Sequence, residues 1–149
     1  IHTVRAGEQD IMTMRERGVS VAHCPRSNRA HGHGDAPLRD ILEAGIPTGV
    51  GTDSVASVSP LDLMAEVRLA RKLGGLSAVD ALSLVTTGAA RALGLYDEVG
   101  ALLAGRWADL VAIRAGDVDD PYEAVVASGK AGIAGTWLGG RQVAGEMTS

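Results

Sequence analysis

Helical spacing and short apolar runs alternate along the first two-thirds of the chain. Residues 7–17 carry Ile11 and Met14 at helical spacing, and Gly18 stands where that helix should end. The apolar run at 19–22 follows and predicts a short buried strand. The same signals predict further helices at 35–45, 60–73, 77–85 and 89–93, and a second buried strand at 47–50.

Two polar stretches, 23–34 and 51–59, follow the two predicted strands, and we expect both to be loops. After the first of them, Asp35 is expected to cap the next helix, with Pro37 in its first turn. The resulting order is helix–strand–loop–helix–strand–loop–helix. This order is typical of parallel βα units and indicates an α/β fold.

The pattern changes from about Gly100 onward, where β signals replace the alternation of helix and strand. We therefore predict two domains, with βα units at 1–99, a small β element at 100–149 and a boundary near 95–105. The signals in this tail are a strand at 110–113, an ambiguous segment at 122–127, and a hairpin of 132–138 with 141–144 across Gly139 and Gly140.

The composition limits the classes of partner. A chain of 149 residues fits one domain or a piece of a larger one. Its net charge of −4 and lack of a basic block argue against nucleic acid or an anionic membrane, and no apolar run approaches the ~18 residues of a membrane span. Cys24 is the only cysteine, which excludes an internal disulfide and fits the cytoplasm. Because the chain begins with Ile1, we expect a truncated or processed start.

Candidate chemistry lies in the loops after the two strands, because such loops build active sites in parallel α/β folds. Asp53 stands in the loop after the second strand. An aspartate at the mouth of a buried strand is costly unless it meets a cation, a proton or several donors. Asp53 is therefore a candidate metal ligand or general base, and the alternative is a loop carboxylate that caps nearby amides.

The loop after the first strand offers weaker candidates. His23 could be a ligand, although a lone histidine at a strand end is more often packed and hydrogen-bonded. Ser27 and Asn28 could hold a substrate or bond to their own loop. His31 and His33 are flanked by glycines, which favours substrate contact or a solvated loop over a metal site.

A complete metal site is not evident in the sequence. A catalytic zinc usually takes three protein ligands, and the chain offers no obvious trio. Cys24 lacks a clear catalytic partner, so we expect a small buried residue there.

Several runs together resemble the amidohydrolase superfamily, in its chlorohydrolase and purine-deaminase branch. This branch also holds adenosylhomocysteine and aminodeoxyfutalosine deaminases, and Arg26 with the run 31–35 leans toward the aminodeoxyfutalosine type. The resemblance spans nearly the whole chain in order and spacing. Its runs are 21–28 (Val-Ala-His-Cys-Pro-Arg-Ser-Asn), 34–37 (Gly-Asp-Ala-Pro), 49–54 (Gly-Val-Gly-Thr-Asp-Ser), 61–66 (Leu-Asp-Leu-Met-Ala-Glu), 89–94 and 105–111.

The resemblance implies a metal-dependent (β/α)₈ barrel with a small β-sandwich. It implies that Asp53, at the end of barrel strand eight, binds the divalent metal, zinc by preference, and accepts a proton from the attacking water. His2 matches the histidine after strand six, which lies beside that water and the substrate. The resemblance also implies substrate-binding or pocket-supporting roles for six further residues of the two loops. These are His23, Arg26, Ser27, Asn28, His33 and Ser54.

The resemblance also implies parts that this sequence lacks. The family's His-x-His pair of strand one, its strand-five histidine and the glutamate three residues beyond have no counterpart here. We therefore expect the carboxyl-terminal portion of a hydrolase that deaminates an aminopurine nucleoside-type small molecule. Two strands cannot close an eight-stranded barrel, so we expect a homo-oligomer or association with the missing half.

Two other functions remain open at this point. The chain could be a non-catalytic α/β fragment or interaction domain, whose exposed sheet edge would drive pairing. A small flavodoxin-like domain would require a glycine-rich phosphate-binding first turn, and the sequence has none.

Overall fold

The computed structural model describes residues 1–129 and 132–145, and it has an α/β architecture. The helices are α1 (Glu8–Glu16), α2 (Pro25–Ala30), α3 (Leu38–Glu43), α4 (Leu63–Gly74), α5 (Ala78–Ser83), α6 (Thr87–Leu93) and α7 (Pro121–Ala127). The strands are β1 (Val21–His23), β2 (Thr48–Val50), β3 (Leu110–Ile113), β4 (Ile133–Leu138) and β5 (Arg141–Gly145).

Strands β1 and β2 form a parallel pair, as the sequence predicts. Val21 pairs with Thr48 and His23 with Val50, so the carboxyl ends of both strands lie side by side. All three residues of β2 are buried, as expected for a parallel strand that helices cover on both faces. The backbone amide of Gly51 donates to the carbonyl of His23 at 3.0 Å and holds the two following loops together.

Helices cover this strand pair through small, closely packed residues. In α6, a Cβ on Gly88 would lie 2.7 Å from the carbonyl oxygen of Ser83 and 3.1 Å from that of Thr48, so only glycine fits there. Among the described residues, three clusters of buried side chains contribute to the core: Ile11, Val21, Ile41 and Ile46; Leu38, Val50, Ala70 and Leu84; Val67, Ala78, Ala81 and Val126.

The tail combines an antiparallel sheet with a helix. Strands β3, β4 and β5 pair in that order, and β4 and β5 form the expected hairpin. The ambiguous segment at 122–127 is helix α7, which Asp120 caps by accepting from the amide of Tyr122 at 2.8 Å. Arg71 of α4 ties α7 to the βα units through two 2.6 Å contacts with Glu123.

Two expectations for the stretch after β1 were wrong. Residues 23–34 are not a loop throughout, because α2 occupies Pro25–Ala30, with Pro25 in its first turn. Asp35 does not cap α3, because the amino-terminal cap of that helix is Pro37. The carboxylate of Asp35 instead binds the guanidinium of Arg29 at 2.8 and 2.9 Å. A long-range hydrogen bond between α2 and a residue of α4 stabilises this short helix.

The predicted domain division at 1–99 and 100–149 stays a prediction. Residues 130, 131 and 146–149 of the second predicted domain lie outside the described residues. Within the described ranges, no helix has the length and apolar character that crossing a membrane requires.

Candidate active site

The two sequence-predicted loops meet at the carboxyl edge of β1 and β2, and Asp53 lies at their junction. The hydroxyl of Ser27 donates to Oδ2 of Asp53 at 2.6 Å, and the amide of Ser54 donates to Oδ1 at 2.8 Å. These two hydrogen bonds, that of Ser27 first, hold the pKa of Asp53 below its usual range, with a further contribution from Ser57. The carboxylate is therefore ionised at neutral pH.

The backbone at Asp53 is also unusual. Its φ of 60° lies in the left-handed region, which aspartate tolerates better than most residues. This conformation, together with the hydrogen bond from the next residue's amide, fixes the direction in which the carboxylate leaves the loop. The side chain remains 29% exposed, so it can still accept another partner.

His2 lies next to Asp53, although the two residues are 51 positions apart in the sequence. Nε2 of His2 is 3.9 Å from Oδ2 of Asp53, beyond hydrogen-bond distance, and Nδ1 is 2.8 Å from Oδ1 of Asn28. The backbone amide of His2 donates to the carbonyl of Ala22 in β1 at 3.0 Å, which fixes the segment beside the strand.

Two consecutive residues of α2 thus hold the two candidate catalytic side chains. Ser27 contacts Asp53, and Asn28 contacts His2. Ser27 is almost completely buried and Asn28 is completely buried, so neither side chain is on open surface. The structure brings together four predicted site residues, which act on one another rather than on their own loop.

Glu66 is the residue of this region that our sequence analysis did not single out. It is completely buried in α4, and its Oε2 accepts a 2.9 Å hydrogen bond from the backbone amide of Arg26, in the first turn of α2. Burial, above all, raises the pKa of Glu66. The sequence does contain a signal. Glu66 precedes Val67 and shares its helix face with Ala70, and a carboxylate on such an apolar face is costly unless it has a partner.

Arg26 is occupied by contacts within the protein. Its guanidinium Nη1 lies 3.7 Å from Oε1 of Glu66 and donates to the carbonyl of Pro60 at 3.2 Å. It borders an open cavity of about 450 Å³ that Ser57 and Leu69 also line. The substrate-binding role of Arg26 stays a prediction.

His23 lies behind the site and is completely buried. Burial lowers its pKa to about 4, so the ring is neutral at pH 7, although Asp35 and the backbone of His2 act in the opposite direction. Neither ring nitrogen makes a well-formed hydrogen bond within the described residues.

The two remaining predicted site residues, His33 and Ser54, are both exposed. His33 is exposed and stacks on His31 with the ring centres 5.6 Å apart. Ser54 is exposed too, and its hydroxyl lies 3.2 Å from that of Ser57. Cys24 is buried as expected, and burial raises the pKa of its thiol.

A zinc ion fits part of this arrangement. Carboxylate oxygens and imidazole nitrogens are ordinary zinc ligands, and Asp53 and His2 present one of each across a shared gap. Across residues 1–129 and 132–145, however, no three His, Cys, Asp or Glu side chains converge on one point. The donor chemistry suits zinc, but a three-ligand set would need groups beyond those described.

The comparison with protein families decides the wider assignment. The model described as the amidohydrolase family matches residues 1–143, nearly the whole chain. The chain belongs to the amidohydrolase family. The resemblance seen in the sequence runs is thereby confirmed at the level of the family.

The relatives of this amidohydrolase chain include deaminases. It is 40% identical over 129 residues to a 5-methylthioadenosine/S-adenosylhomocysteine deaminase of Moorella thermoacetica, an alignment that covers 81% of this chain and 29% of the relative. The chain therefore spans less than a third of the length of that relative.

Solved structures give the same result for the fold. An adenosine deaminase from Xanthomonas campestris with bound zinc superposes with a TM-score of 0.89 at 31% identity, over 95% of this amidohydrolase chain and 35% of that chain. Atrazine chlorohydrolase from Arthrobacter aurescens, complexed with zinc, superposes with a TM-score of 0.83 at 29% identity, over 97% and 35%. The described α/β arrangement is thus that of the corresponding part of zinc-containing hydrolases.

Proposed function

We propose that this chain supplies the last βα units and part of the β-sandwich of a zinc-dependent (β/α)₈-barrel deaminase. Residues 1–99 would belong to the barrel, and 100–149 to the sandwich. The relatives support the proposal because the chain covers only about a third of proteins of this class. The parallel pair β1–β2 supports it as well, since sheets of only two parallel strands are marginally stable without further partners.

One observation carries the catalytic part of the proposal. An ionised carboxylate, Asp53, and an imidazole, His2, face each other at 3.9 Å at the carboxyl edge of the parallel strands. In (β/α)₈ barrels this edge is where active sites are built. Hydrogen bonds with two buried residues of one helix, Ser27 and Asn28, preorganise the pair, as expected of groups that act in a reaction.

Within the complete site, Asp53 is the residue of this chain that would hold the metal. Zinc, when bound, lowers the pKa of a coordinated water toward neutrality. Asp53 would accept the proton of the attacking water, and the fixed ring of His2 would orient that water or stabilise developing charge. Positioned proton transfer of this kind contributes about 10²–10⁴-fold to a rate.

The substrate class we propose is an aminopurine nucleoside. Water adds to the ring carbon that carries the amino group, the carbon–nitrogen bond breaks, and ammonia leaves with a carbonyl in its place. Two of the relatives support this choice, since they are named as a 5-methylthioadenosine/S-adenosylhomocysteine deaminase and an adenosine deaminase. Arg26, His33 and Ser54 are proposed as rim contacts to the substrate. His23, Ser27 and Asn28 would shape the pocket from behind.

Further proposals concern assembly and location. The free edge of the β1–β2 pair would be covered by the remaining barrel strands or by another copy of the chain. A cytoplasmic location is supported by the single cysteine, Cys24.

The test is ammonia release from a panel of aminopurine nucleosides by the complete zinc-loaded protein. Asp53→Asn should reduce turnover at least about 100-fold, because the amide cannot accept the water proton. Asp40→Asn, on the exposed face of α3, is the matched control and should keep wild-type turnover. Near-normal turnover by Asp53→Asn would refute the assignment of Asp53. Wild-type protein that releases no ammonia from any member of the panel would refute the deaminase proposal.

A further inference from the structure

The contact between Asn28 and His2 determines where the proton of the imidazole resides. Oδ1 of Asn28 lies 2.8 Å from Nδ1 of His2, a normal hydrogen-bond distance. A side-chain amide oxygen can only accept, so a hydrogen bond at this contact requires the hydrogen on Nδ1 of His2. In the neutral ring the other nitrogen, Nε2, is then a bare acceptor.

This second nitrogen faces Asp53. Nε2 lies 3.9 Å from Oδ2 of Asp53, and that oxygen already accepts from the hydroxyl of Ser27. Two acceptors thus face each other across a gap too wide for a direct hydrogen bond. A group that enters the gap must satisfy two acceptors, as a metal ion does, or as a water molecule does when its two protons point to them.

We propose that Asn28 is a positioning residue that fixes the Nδ1–H tautomer of His2 and so presents an acceptor, not a donor, toward Asp53. Asn28 is suited to this because it is completely buried and sits on the same short helix as Ser27. One helix therefore sets both the direction of the carboxylate and the tautomer of the imidazole. The tautomer itself does not depend on the proposed deamination, whereas its use in catalysis rests on that function.

The test is nitrogen-15 NMR of the imidazole rings in the intact protein without substrate, at a pH where the ring of His2 is neutral. His2→Gln assigns the signals of His2 among the four histidines. The wild-type protein should show Nδ1 protonated and Nε2 unprotonated. Asn28→Leu removes the accepting oxygen, so the proton should move to Nε2, the ring nitrogen on the side of the Asp53 carboxylate.

Two further variants keep the experiment decisive. Asn28→Asp retains an oxygen acceptor and should show the Nδ1–H form of the wild type. This result can be measured even when Asn28→Leu does not fold. Ser27→Ala, an equally buried neighbour that contacts Asp53 rather than His2, should leave the tautomer of His2 unchanged. An Nε2–H signature in the wild type, or the Nδ1–H form retained in folded Asn28→Leu, would overturn the proposal.

Catalysis separates this inference from the proposed function. In a protein that releases ammonia, Asn28→Leu should lower kcat about 10- to 100-fold and Asn28→Asp should recover part of the loss. If no ammonia is released but the tautomer responds as described, the deaminase proposal fails and the positioning role stands. If ammonia is released and the tautomer does not respond, the positioning role fails alone.

Discussion

The hydroxyl of Ser27 and the carboxylate of Asp53 are 2.6 Å apart, although the two residues follow different strands. Their distance depends on the register of β1 against β2, which pairs His23 with Val50. Each residue lies a few positions beyond its strand, so a one-residue slip in either strand would separate them. The site and the parallel pairing are therefore parts of one structure.

Replacing Ser27 with alanine should weaken the candidate metal site without removing any proposed ligand. The variant loses the main hydrogen bond to Asp53, and loss of such supporting contacts typically costs about 10- to 100-fold in metal affinity or activity. Competition with a chelator measures zinc affinity, and initial rates of ammonia release measure kcat/KM. Ser20→Ala, at an exposed position, is the control. Unchanged zinc affinity in Ser27→Ala would contradict the supporting role.

The buried ring of His23 should make the protein sensitive to acid. Its folded-state pKa of about 4 lies below the usual 6.5, so between these values the unfolded chain binds a proton that the folded chain does not. The free energy of unfolding should therefore fall by about 3 kcal/mol as the pH drops from 6.5 to 4, with no contribution above that window. Urea unfolding at several pH values measures this slope, and His23→Gln should remove it. An equal slope in both proteins would show that other groups cause the acid sensitivity.

Local sequence patterns were sufficient to predict the elements whose own side chains determine their structure. The apolar runs predicted β1 and β2 to within two residues, and the glycine pair at 139–140 predicted the hairpin of β4 and β5. Helix α2 was missed because four of its six residues are polar and six residues are too few to be stable alone. Its support comes from Glu66, 40 positions away from Arg26, and spacing within a short window contains no trace of that contact.

The candidate site was predictable to a similar extent. Parallel strands place their following loops together, so Asp53 and the loop with Ser27 and Asn28 could be expected at one edge of the sheet. Which side chains bond to one another could not be deduced, because the left-handed backbone of Asp53 and the direction of His2 depend on tertiary contacts. The roles of these residues in catalysis remain predictions.

The carboxyl group of Glu66 should produce a pH dependence of opposite sign to that of His23. Burial raises its folded pKa, so the folded state holds a proton that the unfolded state releases at about pH 4.5. Its contribution to stability is present at low pH and declines as the pH rises through the folded pKa. Glu66→Gln lacks this decline, so its free energy of unfolding, minus that of the wild type, should increase with pH.

Urea unfolding of both proteins at pH 4.5, 6 and 8 measures this difference, in which the effect of His23 cancels. Glu43→Gln, which removes an exposed carboxylate paired with Arg39 on α3, is the matched control. It should change the free energy of unfolding by less than about 0.5 kcal/mol. A difference for Glu66→Gln that is constant or shrinks with pH would contradict the burial argument.

The contact of α6 with β2 should be intolerant of a single added methyl group. A Cβ at Gly88 would lie 2.7 Å from the carbonyl oxygen of Ser83 and 3.1 Å from that of Thr48, and backbone atoms cannot rotate away as a side chain can. Alanine is favoured over glycine inside a helix by up to about 1 kcal/mol, but overpacking costs about 1–3 kcal/mol, so Gly88→Ala should be destabilising overall.

Gly129→Ala, where an added Cβ meets nothing within 4 Å, is the control and should unfold at nearly the wild-type urea concentration. Because β2 leads directly into the loop of Asp53, the shift of α6 against this strand should also reduce zinc affinity in Gly88→Ala. If Gly88→Ala is as stable as the control and binds zinc equally well, α6 and β2 can move apart without moving Asp53. The position of the carboxylate would then depend on its own loop and on the hydrogen bonds from Ser27 and Ser54.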